Sequence, residues 1–347
     1  MKKSLIALAV LSVSGVAMAQ SSVTLYGVAD AGIGKIKYNS AGTGSTDAHG
    51  KTELISGGST LSNGPSRLGV KGVEDIGGGL QAGFNFETGI NLNNGGNENS
   101  GGGGDFWGRQ ANMWLTGSQW GTIKLGRQFT PSYLNAAGYD LVGTANYNLQ
   151  SIYTYGGEVS ARANSAIAYV TPTFSGVTGV VAYILKQDVK NSYGINKAAW
   201  DIAALYANGP IAGGLSVNKI ADSRTNFLLG GRYNFGSFIV AASYAQASKP
   251  GTKARRRGVG IGGTALFGPF SVTLDLMRDT KNEWTGGATG KKYTNGLVEV
   301  KYNLSKRTFL YGVYLRRDGD YNGTVAGLPA TVHGSTNNYA LGVRHNF

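Results

Sequence analysis

Apolar and polar residues alternate one by one along many short segments of this chain. In the stretch LQAGFNFETGI, for example, Phe84 and Phe86 share one parity, while Asn85 and Glu87 share the other. A period of two is the pattern of a β-strand that has one apolar and one polar face. Strands, rather than helices, therefore account for most of the predicted secondary structure.

Sixteen segments of this kind are predicted to be strands. They cover residues 23–36, 65–75, 80–91, 106–117, 121–128, 163–171, 176–187, 197–208, 211–220, 225–234, 237–247, 256–267, 270–279, 292–303, 308–318 and 337–347. Tight turns alternate with long polar loops between them. An even number of strands with short turns at one end and long loops at the other predicts an all-β, 16-stranded antiparallel transmembrane β-barrel, with short periplasmic turns and long extracellular loops.

A secreted β-sandwich or propeller would also show alternating strands, because alternation does not tell the inside from the outside. The asymmetry of the loops and the aromatic C-terminus favour the barrel. In a bilayer every backbone polar group must be paired, so a sheet there has to close on itself. Tilted strands of about ten residues are long enough to cross the hydrocarbon.

The first nineteen residues predict export. They contain two lysines, an apolar run from Leu5 to about Val16, and the small residues Ala17-Met18-Ala19. This is the pattern of a secretory signal peptide, so residues 1–19 are assigned to the signal and residues 20–347 to a single barrel domain. An exported protein is not expected to meet nucleic acid.

The charge of the chain limits the classes of partner that it is expected to bind. Formal net charge is +13, and removal of Lys2 and Lys3 with the signal leaves +11. Only 15% of residues are charged and 56 are glycine. A basic exported protein is suited to small anionic solutes or to a polyanionic surface.

No pattern in the chain indicates an enzyme, a metal site or a cofactor. The three histidines are His49, His333 and His345, and none has the spacing of a zinc site. The G-x-S-x-G pattern of a nucleophilic serine is missing, and the chain has no cysteine. Catalysis, metals and cofactors are therefore not predicted.

The C-terminus predicts a closing strand. Tyr339, Leu341, Val343 and Phe347 lie on one face of the stretch YALGVRHNF. This stretch is expected to be the last strand and to pair with the strand that begins near Val23, which would close the barrel.

Several stretches resemble the general porins of the Gram-negative outer membrane, of the beta-proteobacterial type. They are SSVTLYGVADAGI at 21–33, SRLGVKGVEDIGGGLQAGFNFETG at 66–89, WGRQANMWLTGSQWGTIKLGRQFTP at 107–131, ARANSAIAYVTPTFSG at 161–176 and the terminal YALGVRHNF. The resemblance implies an outer-membrane homotrimer whose third long loop, residues 129–162, folds into the lumen. It also implies that Tyr339, Leu341, Val343 and Phe347 form an assembly signal.

Residues of the pore are predicted in two ways. Strand parity turns Arg67, Lys71 and Lys124 towards the lumen, because their neighbours in sequence are apolar. The resemblance adds the arginines of WGRQ, LGRQ and ARANS. These are Arg109, Arg127 and Arg162.

Parity conflicts with two of these arginines. Arg109 and Arg127 share a face with apolar residues that should meet lipid, where a cation at mid-bilayer costs about 2–4 kcal/mol. Either a β-bulge shifts the register, or these side chains sit at the rim above the lipid band. The pore arginines could contact solute, or could anchor the loop through its acids Asp140 and Glu158.

The sequence therefore predicts a passive channel for small hydrophilic solutes and ions, with a preference for anions and a constriction between loop 129–162 and a basic wall. The alternative is a structural or adhesive barrel that acts through its surface loops. Outer-membrane lipids are the expected surroundings, and the basic run 253–257 is a candidate for contact with outer-leaflet phosphates.

Overall fold

A computed structural model describes most of the chain. The described residues are 21–36, 51–97, 105–149, 161–186, 197–220, 224–249, 251–252, 255–283, 290, 292–325 and 328–347, with the backbone alone at 220, 319–325 and 328–334. The predicted signal peptide and Glu158 lie outside this set.

The described residues form seventeen strands and one α-helix. The strands are β1 (Ser22–Ile36), β2 (Lys51–Ser56), β3 (Arg67–Gly77), β4 (Leu80–Gly89), β5 (Gln110–Gly117), β6 (Gly121–Phe129), β7 (Arg162–Val170), β8 (Val177–Ile184), β9 (Ala199–Asn208), β10 (Ile211–Ile220), β11 (Thr225–Asn234), β12 (Phe238–Ser248), β13 (Arg255–Phe267), β14 (Phe270–Glu283), β15 (Thr294–Asn303), β16 (Thr308–Val325) and β17 (Leu328–Asn346). The helix, α1 (Pro131–Tyr139), follows β6.

Sixteen of these strands close into one antiparallel barrel. From β3 to β17 each strand pairs with the next. The seam is made by β1, which pairs with β3 from Ser22↔Val73 to Val28↔Arg67 and with β17 from Val28↔Asn346 to Lys35↔Tyr339. The predicted sixteen-stranded closed barrel is confirmed.

The two faces of the wall have opposite polarity. Ile202, Leu215 and Leu274 are 44–51% exposed on the outer face. Their neighbours Asp201 and Ser216 point inward. An apolar outside and a polar inside are what a membrane barrel needs, whereas a soluble sandwich buries its apolar face.

The structure differs from the prediction in two loops. Residues 51–56, predicted within the loop 37–64, form β2, which pairs with the upper half of β1 from Ala31↔Ser56 to Ile36↔Lys51. Because β3 begins only at Arg67, β2 supplies the partner that this half of β1 otherwise lacks.

The predicted loop 319–336 is likewise mostly strand. Strands β16 and β17 continue as a hairpin to the pair Val325↔Leu328. The residues Tyr321, Thr324, Thr331 and Val332 have high β-propensity, which favours the continuation of both strands. At the other long loop, β13 already begins at Arg255, so most of the basic run 253–257 belongs to a strand.

Among the described residues, the helix is too short to cross a bilayer.

The terminal Phe347 stabilises the seam between β17 and β1. Its backbone exchanges two hydrogen bonds with Gly27, at 3.0 and 3.1 Å. The ring covers the same glycine so closely that a Cβ there would collide with it. Tyr339, Leu341 and Val343 share the outward face with Phe347, as the alternation predicted.

Deletion of Phe347 is expected to lower the yield of folded barrel severalfold, because the seam loses two backbone hydrogen bonds and its aromatic cover. The yield is measured as the heat-modifiable fraction on gels after export. Phe347→Tyr, which keeps the ring and the backbone, is the control. Normal assembly of the deletion variant would contradict a role for this residue as an assembly signal.

Candidate functional site

Helix α1 begins directly where β6 ends. Thr130 is the N-cap, and its side chain accepts a hydrogen bond from the backbone N–H of Tyr133. Pro131 occupies the first turn, where its missing N–H costs nothing and its fixed φ suits the helix. These residues turn the chain sharply from the wall into a helix.

Polar contacts hold α1 against the inner surface of the barrel. Ser132 donates to the carboxylate of Asp201 from its backbone N (3.0 Å) and from its Oγ (2.7 Å). Asn135 Nδ2 donates to Ser216 Oγ (3.1 Å) and to the carbonyl of Leu228 (3.2 Å). Because Asp201 and Ser216 are on the inward face, α1 lies on the lumen side of β9–β11.

Tyr139 completes this contact at the end of α1. Its ring lies over Gly230 of β11, and a Cβ at that position would collide with the ring. Burial raises the pKa of the Tyr139 hydroxyl, so the side chain stays neutral. The close approach explains why a glycine occupies an inward position in the middle of the strand.

A later part of the same loop is held by another strand of the wall. Tyr147 donates to Glu299 of β15, and Asn63 bridges these two residues. Glu299 also forms an ion pair of 2.9 Å with Lys301. Burial beside Glu299 raises the pKa of Tyr147 well above its ordinary value. The loop residues Ser132, Asn135 and Tyr147 therefore contact wall residues of the barrel, which is compatible with the folding into the lumen that the resemblance implies for this loop.

A cavity of about 400 Å³ lies between this loop and the wall. Four arginines and one acid provide its charged lining. They are Arg67, Arg109, Arg162, Arg344 and Glu87. The formal charge of this lining is +3, from four arginines and one glutamate. The aromatic rings of Phe129 and Tyr133, which stack with centroids 4.5 Å apart, complete one side.

Glu87 holds two of these arginines. Arg109 Nε donates to Glu87 Oε1 at 2.7 Å, and both side chains are 5% exposed. Arg67 Nε lies 3.6 Å from Glu87 Oε2. The hydroxyl of Tyr26 donates to the same carboxylate at 3.0 Å. A charge-assisted pair of this kind fixes the direction of the guanidinium groups.

The other two arginines are positioned by different contacts. The Arg162 guanidinium lies 4.5 Å from the centroid of the Phe129 ring, which is a cation–π geometry. Arg344 donates to the carbonyl and side-chain oxygens of Asn63, and from Nε to Asn346 Oδ1 at 3.1 Å.

Of the predicted pore residues, Arg67, Arg109 and Arg162 come together in the cavity. The parity conflict of Arg109 is resolved because this residue precedes β5, and the strand alternation does not apply to it. Its backbone N instead donates to the carbonyl of Glu87.

Arg127 lies at the rim. It keeps the outward parity of β6, and its side chain donates to the carbonyl of Gly108 (2.6 Å) and to Asn164. The ladder between β6 and β7 is irregular next to it, between Gly126 and Gln128. Both alternatives therefore contribute: a bulge is present, and the side chain sits at the end of the strand.

Lys71 and Lys124 face the lumen outside this cavity. Lys71 lies 5.5 Å from the centroid of the Tyr26 ring, whose hydroxyl reaches Glu87. Lys124 pairs with Trp114 and Ala168 across the sheet. The buried side chain of Ala168 shows that this face points inward.

Asp140 lies at the C-terminus of α1, away from the cavity lining. Its Oδ2 accepts from the backbone N of Thr144 at 2.5 Å, and its carbonyl accepts from Arg232. Burial raises the pKa of its carboxyl to about 6, and nearby Glu299 adds to the effect. The charged groups that face it also include Lys301, which opposes the rise, and Asp275.

Docking of the loop is expected to weaken as pH rises through 6. In an undocked loop Asp140 ionises near its ordinary pKa of 3.8, while in the docked loop it holds its proton up to about pH 6. Docking therefore takes up a proton in this window and is favoured at lower pH. Hydrogen exchange of residues 131–149, corrected for intrinsic rates, measures this.

In the matched variant Asp140→Asn the exchange rate should depend less on pH between 5 and 8, because the contribution of this carboxyl is removed. An unchanged pH dependence in this variant would assign the effect to another group.

Sequence reasoning missed two charged residues of the cavity, Glu87 and Arg344. Both lie on polar faces that the alternation identifies, and Arg344 alternates with the outward Val343 and His345. The alternation therefore indicates that both side chains point towards the lumen. What it lacked was the depth of each residue along its strand, which decides whether a lumen side chain reaches the cavity.

Comparison with known proteins supports this description of the chain. The family described as Gram-negative porin matches residues 4–323. The outer membrane porin protein 32 of Delftia acidovorans is 31% identical over 330 residues, which is 90% of this chain and 88% of that protein.

Solved structures of porins share the fold of this chain. The anion-selective porin from Comamonas acidovorans superposes with a TM-score of 0.74 at 25% identity, over 94% of this chain and all of that one. A trimer form of OmpT from Vibrio cholerae shares the fold, with a TM-score of 0.63 at 17% identity over 94% of this chain and 99% of that one. The chain belongs to the Gram-negative porins, the passive channels of the outer membrane.

Proposed function

We propose that this porin prefers anions and that the arginine-lined cavity is its constriction. The observation that carries the proposal is the charge of the cavity lining, four arginines against one glutamate. Rings of Arg and Lys in a narrow pore favour anions, since they stabilise a passing negative charge and repel a positive one. The solved porin with the higher TM-score is described as anion-selective, which agrees with this proposal.

The constriction has two sides of different chemistry. Arginines of the wall provide positive charge, while the described part of loop 129–149 adds aromatic rings and polar groups to the lining. The proposed solutes are small hydrophilic molecules, and small anions above all. Such a lining gives a general preference by charge and needs no fitted pocket for one substrate.

The reversal potential of the reconstituted protein across a KCl gradient tests the proposal. Anion preference gives a potential of the sign set by chloride. A potential of the opposite sign would overturn the selectivity, whereas absence of conductance would favour the adhesive barrel that acts through its loops. Single-channel steps distinguish an open pore from a leak in the bilayer.

We further propose that the mature protein begins at Gln20 and assembles as a homotrimer. A trimer form is recorded for the Vibrio cholerae structure that shares this fold. N-terminal sequencing of the exported protein tests the first point, and native mass spectrometry of the detergent-extracted protein tests the second.

A further inference from the structure

Cationic side chains face outward at the extracellular ends of β13 and β14. The register pairs Arg278 with Val259, and Arg257 with Lys281. Val259 and Ile261 are 43% and 66% exposed on the outer, apolar face. Arg257 has the same parity as these two residues along β13, so Arg257 and Arg278 point away from the lumen.

Three more cations face outward next to Arg257 and Arg278. Arg255 pairs with Glu283 two positions further along the same ladder, and Arg316 of β16 follows the outward Tyr314 at the next position of that parity. Together with Lys281 these residues make up the rim patch: Arg255, Arg257, Arg278, Lys281 and Arg316. Arg256 is excluded because it turns inward and forms an ion pair with Asp279 at 3.3 Å.

Acidic side chains neutralise only part of the rim patch. In the described part of this rim, Glu283 pairs with Lys281 at 3.0 Å and Asp318 pairs with Arg316 at 3.4 Å. Arg257 and Arg278 instead donate to neutral groups, Gln246 Oε1 and Thr294 Oγ1, both at 2.7 Å. Five cations against two acids leave a formal charge of +3 on an outward surface.

The rim patch borders the apolar belt directly. Below it on β13, β14 and β15 lie Ile261, Leu274, Leu276 and Val298, which are 37–66% exposed. Lipid chains cover this belt, so the headgroups of the outer leaflet come level with the rim patch. Guanidinium groups match phosphate geometry and can bind it with two parallel hydrogen bonds.

We propose that the rim patch binds the headgroup phosphates of outer-leaflet lipids. The basic run 253–257 suggested such a contact for one loop, but the structure assigns it to outward side chains of β13, β14 and β16. A free phosphate ion is not the proposed ligand, since the patch is an open surface continuous with the lipid belt. The proposal is independent of the selectivity of the pore.

The variant Arg257→Gln/Arg278→Gln tests the proposal. The full-length protein is placed in phosphatidylcholine nanodiscs that contain a small fraction of bis-phosphorylated lipid A, and bound lipid A is counted by native mass spectrometry. Because each cation near an anionic surface contributes a factor of about five, the variant should bind lipid A roughly 25-fold more weakly.

Lys35→Gln/Lys219→Gln is the matched control. These two lysines share the outward faces of β1 and β10, where Lys35 pairs with Tyr339 and Lys219 with Thr225, away from the rim patch. The control should bind lipid A nearly as well as the unaltered protein, and both variants should keep heat-modifiable migration and conductance.

Three results would overturn the proposal. They are equal binding of lipid A by both double variants, undiminished binding of lipid A stripped of its phosphates, and a change of oligomeric state in Arg257→Gln/Arg278→Gln, which would make the patch a contact between copies. Competition by millimolar inorganic phosphate at constant ionic strength would indicate a site for the free ion instead.

Discussion

Replacing Arg162 and Arg344 together with glutamine is expected to lower the ratio of anion to cation permeability by about a hundredfold at low salt. A unit charge about 6 Å from a passing ion in water contributes roughly 0.7 kcal/mol, with opposite signs for anions and cations, so each arginine changes the ratio about tenfold. Both residues line the cavity, while Arg67 and Arg109 stay beside Glu87.

The reversal potential across a KCl gradient measures this ratio. Arg255→Gln/Arg257→Gln removes the same number of arginines from the outer surface, and is expected to leave the ratio almost unchanged. A similar loss of preference in both double variants would mean that the overall charge of the protein, rather than the cavity, sets the selectivity. The effect should also shrink as salt is raised, because screening shortens the range of each charge.

Glu87→Gln is expected to change selectivity in the opposite direction. It raises the formal charge of the cavity lining from +3 to +4, so the preference for anions should increase about tenfold at low salt by the same estimate. Stability should fall by about 3–5 kcal/mol, because the substitution leaves a buried guanidinium without its carboxylate. The Arg109 side chain is only 5% exposed in this pair.

Denaturant midpoints in detergent measure the loss of stability, and reversal potentials measure the selectivity. The control is Glu283→Gln, which breaks an ion pair with Lys281 at the outer rim. Exposed pairs of this kind contribute about 0–1 kcal/mol, so the control should unfold almost as the unaltered protein does. Reduced anion preference in Glu87→Gln would contradict the proposed role of the cavity charge.

The barrel could be predicted from the sequence because lipid imposes its own pattern. Each strand must turn apolar residues outward and may turn polar residues inward, so a period of two survives even where glycines interrupt it. Strands β10 and β11 were predicted with the bounds that the structure has. The bounds failed where the strands extend beyond the membrane, as in β16, since no lipid enforces the alternation there.

The cavity could be predicted only in part. Parity gives the direction of a side chain within a strand, and it placed Arg67 correctly towards the lumen. It gave the wrong direction for Arg109, because this residue lies just outside β5 and follows a turn. The pairing of Arg109 with Glu87 depends on the register of two strands and on where each begins, which local sequence does not encode.

The contacts of α1 also determine when the protein can finish folding. Its partners Asp201, Ser216 and Leu228 lie on strands that come later in the chain, and Glu299, a partner of Tyr147, lies later still, on β15. The helix cannot reach its final place until these strands have been paired and the interior exists. The docked position of α1 therefore forms only after β9–β11 are in place, and the contact of Tyr147 with Glu299 only after β15 is.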